Sequence, residues 1–213
     1  MPLPRFEKLP QEKQERILEA AAKVFTEYGY EKASLNHMLE NAGISKGAAY
    51  YYFTDKADLI GTVVRFYWLD SLVGSRTAFA DLTVEGFWKT VSELYLHPFG
   101  DAAHRPWRVG LSRAVWGLPR ELKRTEPLKS VAEEAGDWMA ALLRRGRELA
   151  LVRDDLPDDL LVELIWAMDG VHDRWLGGHW QDLSQEERDR TTQLFVSLLK
   201  RILAPVSMAT EAE

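Results

Sequence analysis

The chain has 213 residues, a formal net charge of −6, 46% hydrophobic and 28% charged residues, and no cysteine. That length can bury a substantial core as one large domain or two small ones. The lack of cysteine excludes disulfides, a thiol nucleophile and a thiolate metal site, and favours a reducing compartment. The acidic balance excludes a general attraction to nucleic acid. No apolar run approaches the ~20 residues of a membrane span, and "MPLPRFEKLPQEKQERILEAA" has no signal-like apolar core. The expectation is a cytoplasmic protein that does not contact membrane.

Helical spacing runs through the sequence. Ile17, Leu18, Ala21, Val24, Phe25 and Tyr28 recur at three- and four-residue steps and predict a first helix, stopped near Gly29. Ser34 is placed to cap a short second helix, "LNHMLENA". Gly43 stands where a tight turn needs positive φ, and Ser45 is placed to cap a third helix. Asp55, with Asp58 three residues on, suits the start of a long, broadly apolar fourth helix carrying Leu59, Ile60, Val63, Val64, Phe66, Tyr67, Leu69 and Leu72. Further helices are predicted over roughly 84–96, over 105–116, and from Pro127 onward with a stripe from Leu128 to Leu149 that includes Ala132. Another follows "RDDLPDD" and carries Leu160, Leu161, Leu164, Ile165, Met168, Val171 and Trp175. The last carries Leu194, Phe195, Leu198, Leu199 and Ile202 and ends at Pro205. No alternating strand is predicted, so the fold class is all-α.

The stretch "GISKGAAYYYF", residues 43–53, fits two patterns. Gly43-Ile44-Ser45-Lys46-Gly47 matches the G-x-S-x-G of a nucleophilic serine turn. That motif needs a strand before it, and the preceding segment reads as helix. His37, His97, His104, His172 and His179 have no catalytic context, so no catalytic residue is assigned. Asp169, His172 and Asp173 share one helical face, but no second cluster accompanies them, and neither a metal site nor a cofactor is expected.

The second pattern is a helix-turn-helix, whose second helix enters the major groove while the first crosses the backbone. A slim leading end favours entry, and Ser45, Lys46, Gly47, Ala48 and Ala49 provide one. Lys46 can reach bases or phosphate, Tyr50 and Tyr51 can donate hydroxyls to phosphate, and Lys56 supplies a second clamp, while Phe53 packs inward. Between Arg5 and Ile60 eight basic residues face nine acidic ones, a balance of −1, so DNA binding must rest on charge placement.

The segment "RILEAAAKVFTEYGYEKASLNHMLENAGISKGAAYYYFTDKADLI", from Arg16 to Ile60, resembles the DNA-binding domain of TetR-family transcriptional regulators. The resemblance lies in the aromatic-Gly-aromatic helix end, the A-G-I-S-K-G turn, the aromatic run to Phe53 and the capped K-x-x-L that follows. It implies an N-terminal three-helix helix-turn-helix domain, residues 1–55, joined by a long helix to a larger ligand-binding and dimerisation domain, residues 56–213. It implies DNA-facing positions at Ser34, Lys46, Ala48, Tyr50, Tyr51 and Lys56, to which Ser45 and Gly47 belong as the leading edge. Ala48 replaces the usual Thr or Ser, Ala49 a larger apolar residue, and Leu39 a small one. Asn36 adds a candidate adenine reader.

The same resemblance implies a homodimer on a palindromic DNA operator and a small-molecule effector. The broad apolar faces of the last two helices suit pairing with a second copy in a four-helix bundle. Trp68, Trp88, Trp116, Trp138 and Trp166 could line a cavity between helices, with Asp169 and His172 as its polar groups, suited to an aromatic or cationic effector. The expected function is repression relieved by ligand. The alternative is a ligand-independent regulator of the same fold, acting as an activator or with a protein partner.

Overall fold

The structure, a computed structural model, describes residues 2–45, 48–69, 79–96 and 107–206, and the side chains of 68 and 69 lie outside that description. Those residues form helices and connecting turns, with no strand among them. The helices are α1 (Pro4–Glu7), α2 (Gln11–Lys32), α3 (Leu35–Glu40), α4 (Ala49–Tyr52), α5 (Lys56–Val64), α6 (Val84–Leu96), α7 (Trp107–Trp116), α8 (Arg120–Lys123), α9 (Leu128–Glu148), α10 (Asp158–Gly178) and α11 (Gln185–Leu203). The chain divides into two compact units, residues 1–74 with 101–135 and residues 75–100 with 136–213. Helix α9 contributes its first residues to one unit and the rest to the other.

In the first unit, α2, α3 and α4 form the helix-turn-helix domain. Ile17, Leu18, Ala21, Ala22, Val24 and Phe25 of α2 are buried, as are Met38 and Leu39 of α3 and Phe53 after α4. Tyr28 differs from the sequence expectation: it lies 44% exposed, its ring 5.4 Å from His37 at the surface. Gly29 adopts φ 71°, which bends the helix there while hydrogen bonding resumes to Lys32. The expected stop thus falls at Gly29, whose dihedrals leave the helical region as glycine permits, and one further turn follows it.

The α3–α4 turn follows from its backbone bonds. Ile44 N–H donates to the Leu39 carbonyl and Gly43 N–H to the Glu40 carbonyl, each at 2.9 Å, a Schellman arrangement. Gly43 has φ 71° and nothing lies within 4 Å of the Cβ it lacks, so the dihedral, not crowding, demands glycine. Helix α5 starts with reciprocal caps: Asp55 accepts from Asp58 N–H at 2.8 Å, and Asp58 accepts from the Thr54 hydroxyl at 2.8 Å and its N–H at 3.1 Å. The helix widens into a π-type turn over Arg65–Leu69.

Two glycines let helices of this unit approach closely. Gly110 of α7 sits against the Thr26 methyl of α2, and Gly61 of α5 against the Pro127 ring. A methyl group at either position would meet those atoms inside van der Waals distance. The first unit therefore packs α7 against α2, and Pro127, just before α9, against α5.

In the second unit, Phe87 and Val91 of α6 are buried, with Trp138, Met139, Leu142 and Leu143 of α9. Arg145 holds the Leu82 carbonyl at 2.6 Å, and Arg147 binds Asp158 and the carbonyls of Arg153 and Leu156, fixing the turn into α10. Ser184 and Glu187 form a capping box at α11. Ala132, expected in the apolar stripe of α9, is exposed. Alanine has too little surface for its exposure to cost much.

Helix α10 buries Leu161, Ile165, Asp169, His172 and Leu176. Leu160, Leu164, Val171 and Trp175, expected in its apolar stripe, lie on the other side with exposures of 41–60%. Leu194 and Leu198 of α11 are likewise exposed. Both helices thus carry an inward face and a second apolar face that this chain leaves open.

Candidate nucleic-acid interface

Helix α4 is sorted by its own spacing. Ala49 and Phe53, four residues apart, are fully buried, whereas Tyr50 is 64% and Tyr51 48% exposed. Ala49 lies fully against the core. Ser45 is exposed and its carbonyl accepts from Ala48 N–H at 2.9 Å. The described helix begins at Ala49, after Ala48 in helical conformation and without a side-chain cap, rather than at Ser45. Lys46 and Gly47 lie outside the described residues.

The other expected DNA-facing residues divide by their internal work. The Ser34 hydroxyl accepts from His37 N–H at 3.1 Å and so starts α3. Asn36 is half-buried, and its carboxamide oxygen is enclosed with no hydrogen-bond partner among the described residues. The Lys56 ammonium donates to the Tyr30 carbonyl at 2.6 Å and lies 4.1 Å over the Tyr30 ring. A cation there opposes the negative end of α2 and ties the first turn of α5 to it.

The second unit holds a buried polar cluster that sequence reasoning found only in part. The Tyr95 hydroxyl of α6 donates to Asp169 Oδ1 at 2.6 Å. His172 stacks on Phe195 of α11 at 4.3 Å and 19°, with Nδ1 3.4 Å from Asp173 Oδ1 and Nε2 3.5 Å from the Thr192 hydroxyl. Burial pushes the Asp169 carboxyl up to about 7, against the lowering effect of the Tyr95 hydrogen bond and with the Asp173 charge adding to the rise. The Tyr95 hydroxyl is raised well above its usual value, first by burial and then by the Asp169 charge. Asp169 and His172 were legible because they interrupt an apolar helix. Tyr95, Thr192 and Phe195 come from two other helices, and no spacing rule joins them to α10.

The expected tryptophan lining is distributed. Trp138 is buried against Phe79 at 5.2 Å, Trp88 packs on Phe87 with Lys200 5.6 Å above its ring, and Trp166 is half-buried on α10. Trp116 belongs to the first unit, where Lys123 donates to its carbonyl at 2.9 Å. The side chain of Trp68 lies outside the described residues, as do His97 and His104. The rings of Tyr95 and Phe195 lie against the Asp169–His172 pair.

A serine-elbow reading of Ser45 has no strand to stand on, since the preceding element is α3. Among the described residues no group of three His, Asp or Glu side chains is arranged to hold a metal ion, and no helix is long and apolar enough to cross a membrane.

Residues 17–63 match the family described as bacterial regulatory proteins, tetR family. The HTH-type transcriptional repressor AcnR of Corynebacterium diphtheriae is 27% identical over 183 residues, 84% of this chain and 88% of that protein. The fold is similar to that of the regulator FadR of Bacillus subtilis, solved in complex with stearoyl-CoA, with TM-score 0.71, 14% identity and coverage of 87% and 96% of the two chains. It is equally similar to the fatty acid degradation regulator FadR of Bacillus halodurans, with TM-score 0.72, 18% identity and coverage of 87% and 97%. The helix-turn-helix thus matches the TetR-family model over residues 17–63, and the likeness to a repressor runs over most of the chain's length, which supports a DNA-binding transcriptional regulator.

Proposed function

We propose that the protein is a homodimeric repressor released from its operator by a small-molecule effector. The observation that carries the dimer is the open apolar face of α10 and α11: Leu160, Leu164, Val171, Trp175, Leu194 and Leu198 are all more than 40% exposed. Two antiparallel helices with such faces pair with their symmetry mates in a four-helix bundle, which removes that surface from water. Pairing presents two copies of α4 to successive major grooves, ~34–36 Å apart. Ser34, Asn36, Ser45, Lys46, Gly47, Ala48, Tyr50, Tyr51 and Lys56 make up the DNA-facing set in this reading. Residues 1–55 are the headpiece and 56–213 sense the effector and dimerise.

The cluster of Tyr95, Asp169, His172, Thr192 and Phe195 marks where the effector's polar end is recognised, with Trp88, Trp138 and Trp166 as apolar surface of the same unit. An effector that favours a conformer with the wrong spacing by ~1–3 kcal/mol lowers DNA affinity ~5–150-fold. The test has two parts. Sedimentation velocity on the wild type and on Leu194→Glu reads the dimer: a dimer that becomes a monomer in the variant is expected, and a wild-type monomer at micromolar concentration rejects the proposal. A duplex selected by the protein from a random-sequence library then reports release by planar aromatic cations and by stearoyl-CoA, the compound bound to the Bacillus subtilis regulator. Unchanged affinity at saturating, demonstrably bound compound rejects the effector mechanism.

A further inference from the structure

The N-terminal arm is built onto the DNA-reading helix, and its one arginine is displayed on that helix's outer surface. Leu3 N–H donates to the Tyr52 carbonyl at 2.9 Å, so the arm is hydrogen-bonded to the last residue of α4. Phe6 is 2% exposed and packs against Phe53 at 4.8 Å and edge-on to Tyr52 at 6.5 Å. Between these two anchors, the exposed Arg5 places its guanidinium carbon 4.1 Å from the centre of the Tyr51 ring. Neither partner is buried, so the contact contributes little to the core. Its effect is to hold a flexible cation in one position beside Tyr51.

The charge balance makes that position consequential. The headpiece carries no net positive charge to attract a polyanion, so each displayed cation matters. The Lys56 ammonium is drawn back onto the Tyr30 carbonyl and ring. Arg5 forms no ion pair with a carboxylate among the described residues. A guanidinium stacked on an aromatic ring uses its face and leaves its N–H edge free, the geometry that suits a bidentate phosphate contact.

We infer that Arg5 is a DNA-contacting residue, stacked on Tyr51 so that its N–H edge meets a backbone phosphate of the duplex bound by α4. The inference rests on the reading of α4 as the DNA-entering helix. It adds to that reading a phosphate contact from outside the helix-turn-helix motif and gives Tyr51 a second role, as the platform that orients the arginine. A phosphate contact positions the protein without reading sequence, so its loss weakens selected and scrambled duplexes alike.

The test is fluorescence anisotropy of full-length wild type, Arg5→Gln, Arg5→Lys and Tyr51→Phe on a duplex selected by the wild type and on a scrambled duplex, between 50 and 200 mM salt. Arg5→Gln is expected to lose roughly 10-fold in affinity on both duplexes and to flatten the slope of log K against log salt by about 0.9, one phosphate's worth. Arg5→Lys keeps the charge and so retains the slope, with weaker binding from loss of the fork. Tyr51→Phe keeps the ring and so retains the arginine's contribution to the slope. An Arg5→Gln protein with wild-type slope and affinity overturns the inference. So does one whose affinity falls with its melting temperature while the slope stays unchanged, since that is the mark of a purely structural arm. If selection with the wild type yields no bound duplex, the DNA reading of α4 fails with it. Wild-type binding without an Arg5 effect refutes the arm alone.

Discussion

Replacing Asp169 by asparagine isolates the largest electrostatic feature of the second unit. The substitution keeps the shape and the Oδ1 acceptor for the Tyr95 hydroxyl, 2.6 Å away, but removes the titrating proton. The carboxyl's folded-state value is raised from 3.8 to about 7, mainly by burial. Between those values the folded protein binds more protons than the unfolded chain, so stability falls as pH rises through the window. At 1.36 kcal/mol per unit, the whole shift is an upper bound of roughly 4 kcal/mol, and the part lying between pH 5 and 8 is roughly 2 to 3 kcal/mol. The asparagine side chain carries no such penalty. Urea unfolding at fixed protomer concentration, for both proteins at half-unit pH steps, gives the difference in unfolding free energy, from which all other titrations cancel. That difference should move in favour of Asp169→Asn by roughly 2 to 3 kcal/mol from pH 5 to 8. A difference flat to within about 0.5 kcal/mol over that range would refute the assignment of a protonated, buried carboxyl.

The close approach of α5 to Pro127 makes Gly61→Ala destabilising, by roughly 1–3 kcal/mol less the ~1 kcal/mol that alanine returns as a better helix former; equilibrium denaturation reads the sign, and a more stable variant contradicts the packing. Asp55→Ala removes the cap of α5 and should cost ~0.5–2 kcal/mol, seen as a lowered thermal midpoint. If the effector is cationic and sits beside Asp169, its binding ionises the carboxyl. Affinity should then rise with pH up to about 7 and level off above it, and calorimetry in buffers of different ionisation enthalpy should detect the released proton. Lys56→Met should lower both stability and DNA affinity, because the ammonium ties α5 to the Tyr30 carbonyl and lies in the proposed DNA-facing set. Loss of affinity at unchanged stability would place the lysine's role wholly on the DNA.

The headpiece was readable because its signals are local. A cap such as Ser34 or Asp55, a positive-φ residue such as Gly43 and the apolar spacing of α2 act within a few residues, and each is visible in the linear order. The family resemblance added the residues of the α4 surface on the same scale. The surface position of Tyr28 was not readable, because an aromatic at helical spacing looks the same whether a neighbour covers it or not. Nor was the open apolar face of α10 separable from its core face, since both are leucine-rich and only packing decides which side is covered.

What the sequence determined by itself, then, is an all-helical regulator with a helix-turn-helix at one end, through backbone and capping preferences that need no distant partner. Tertiary structure alone decided three things: that Tyr95, Thr192 and Phe195 surround the Asp169–His172 pair, that Arg5 rests on Tyr51, and that Pro127 seals Gly61. Each joins residues far apart in the chain, and such contacts arise from the way whole helices pack, a choice no short window of residues contains.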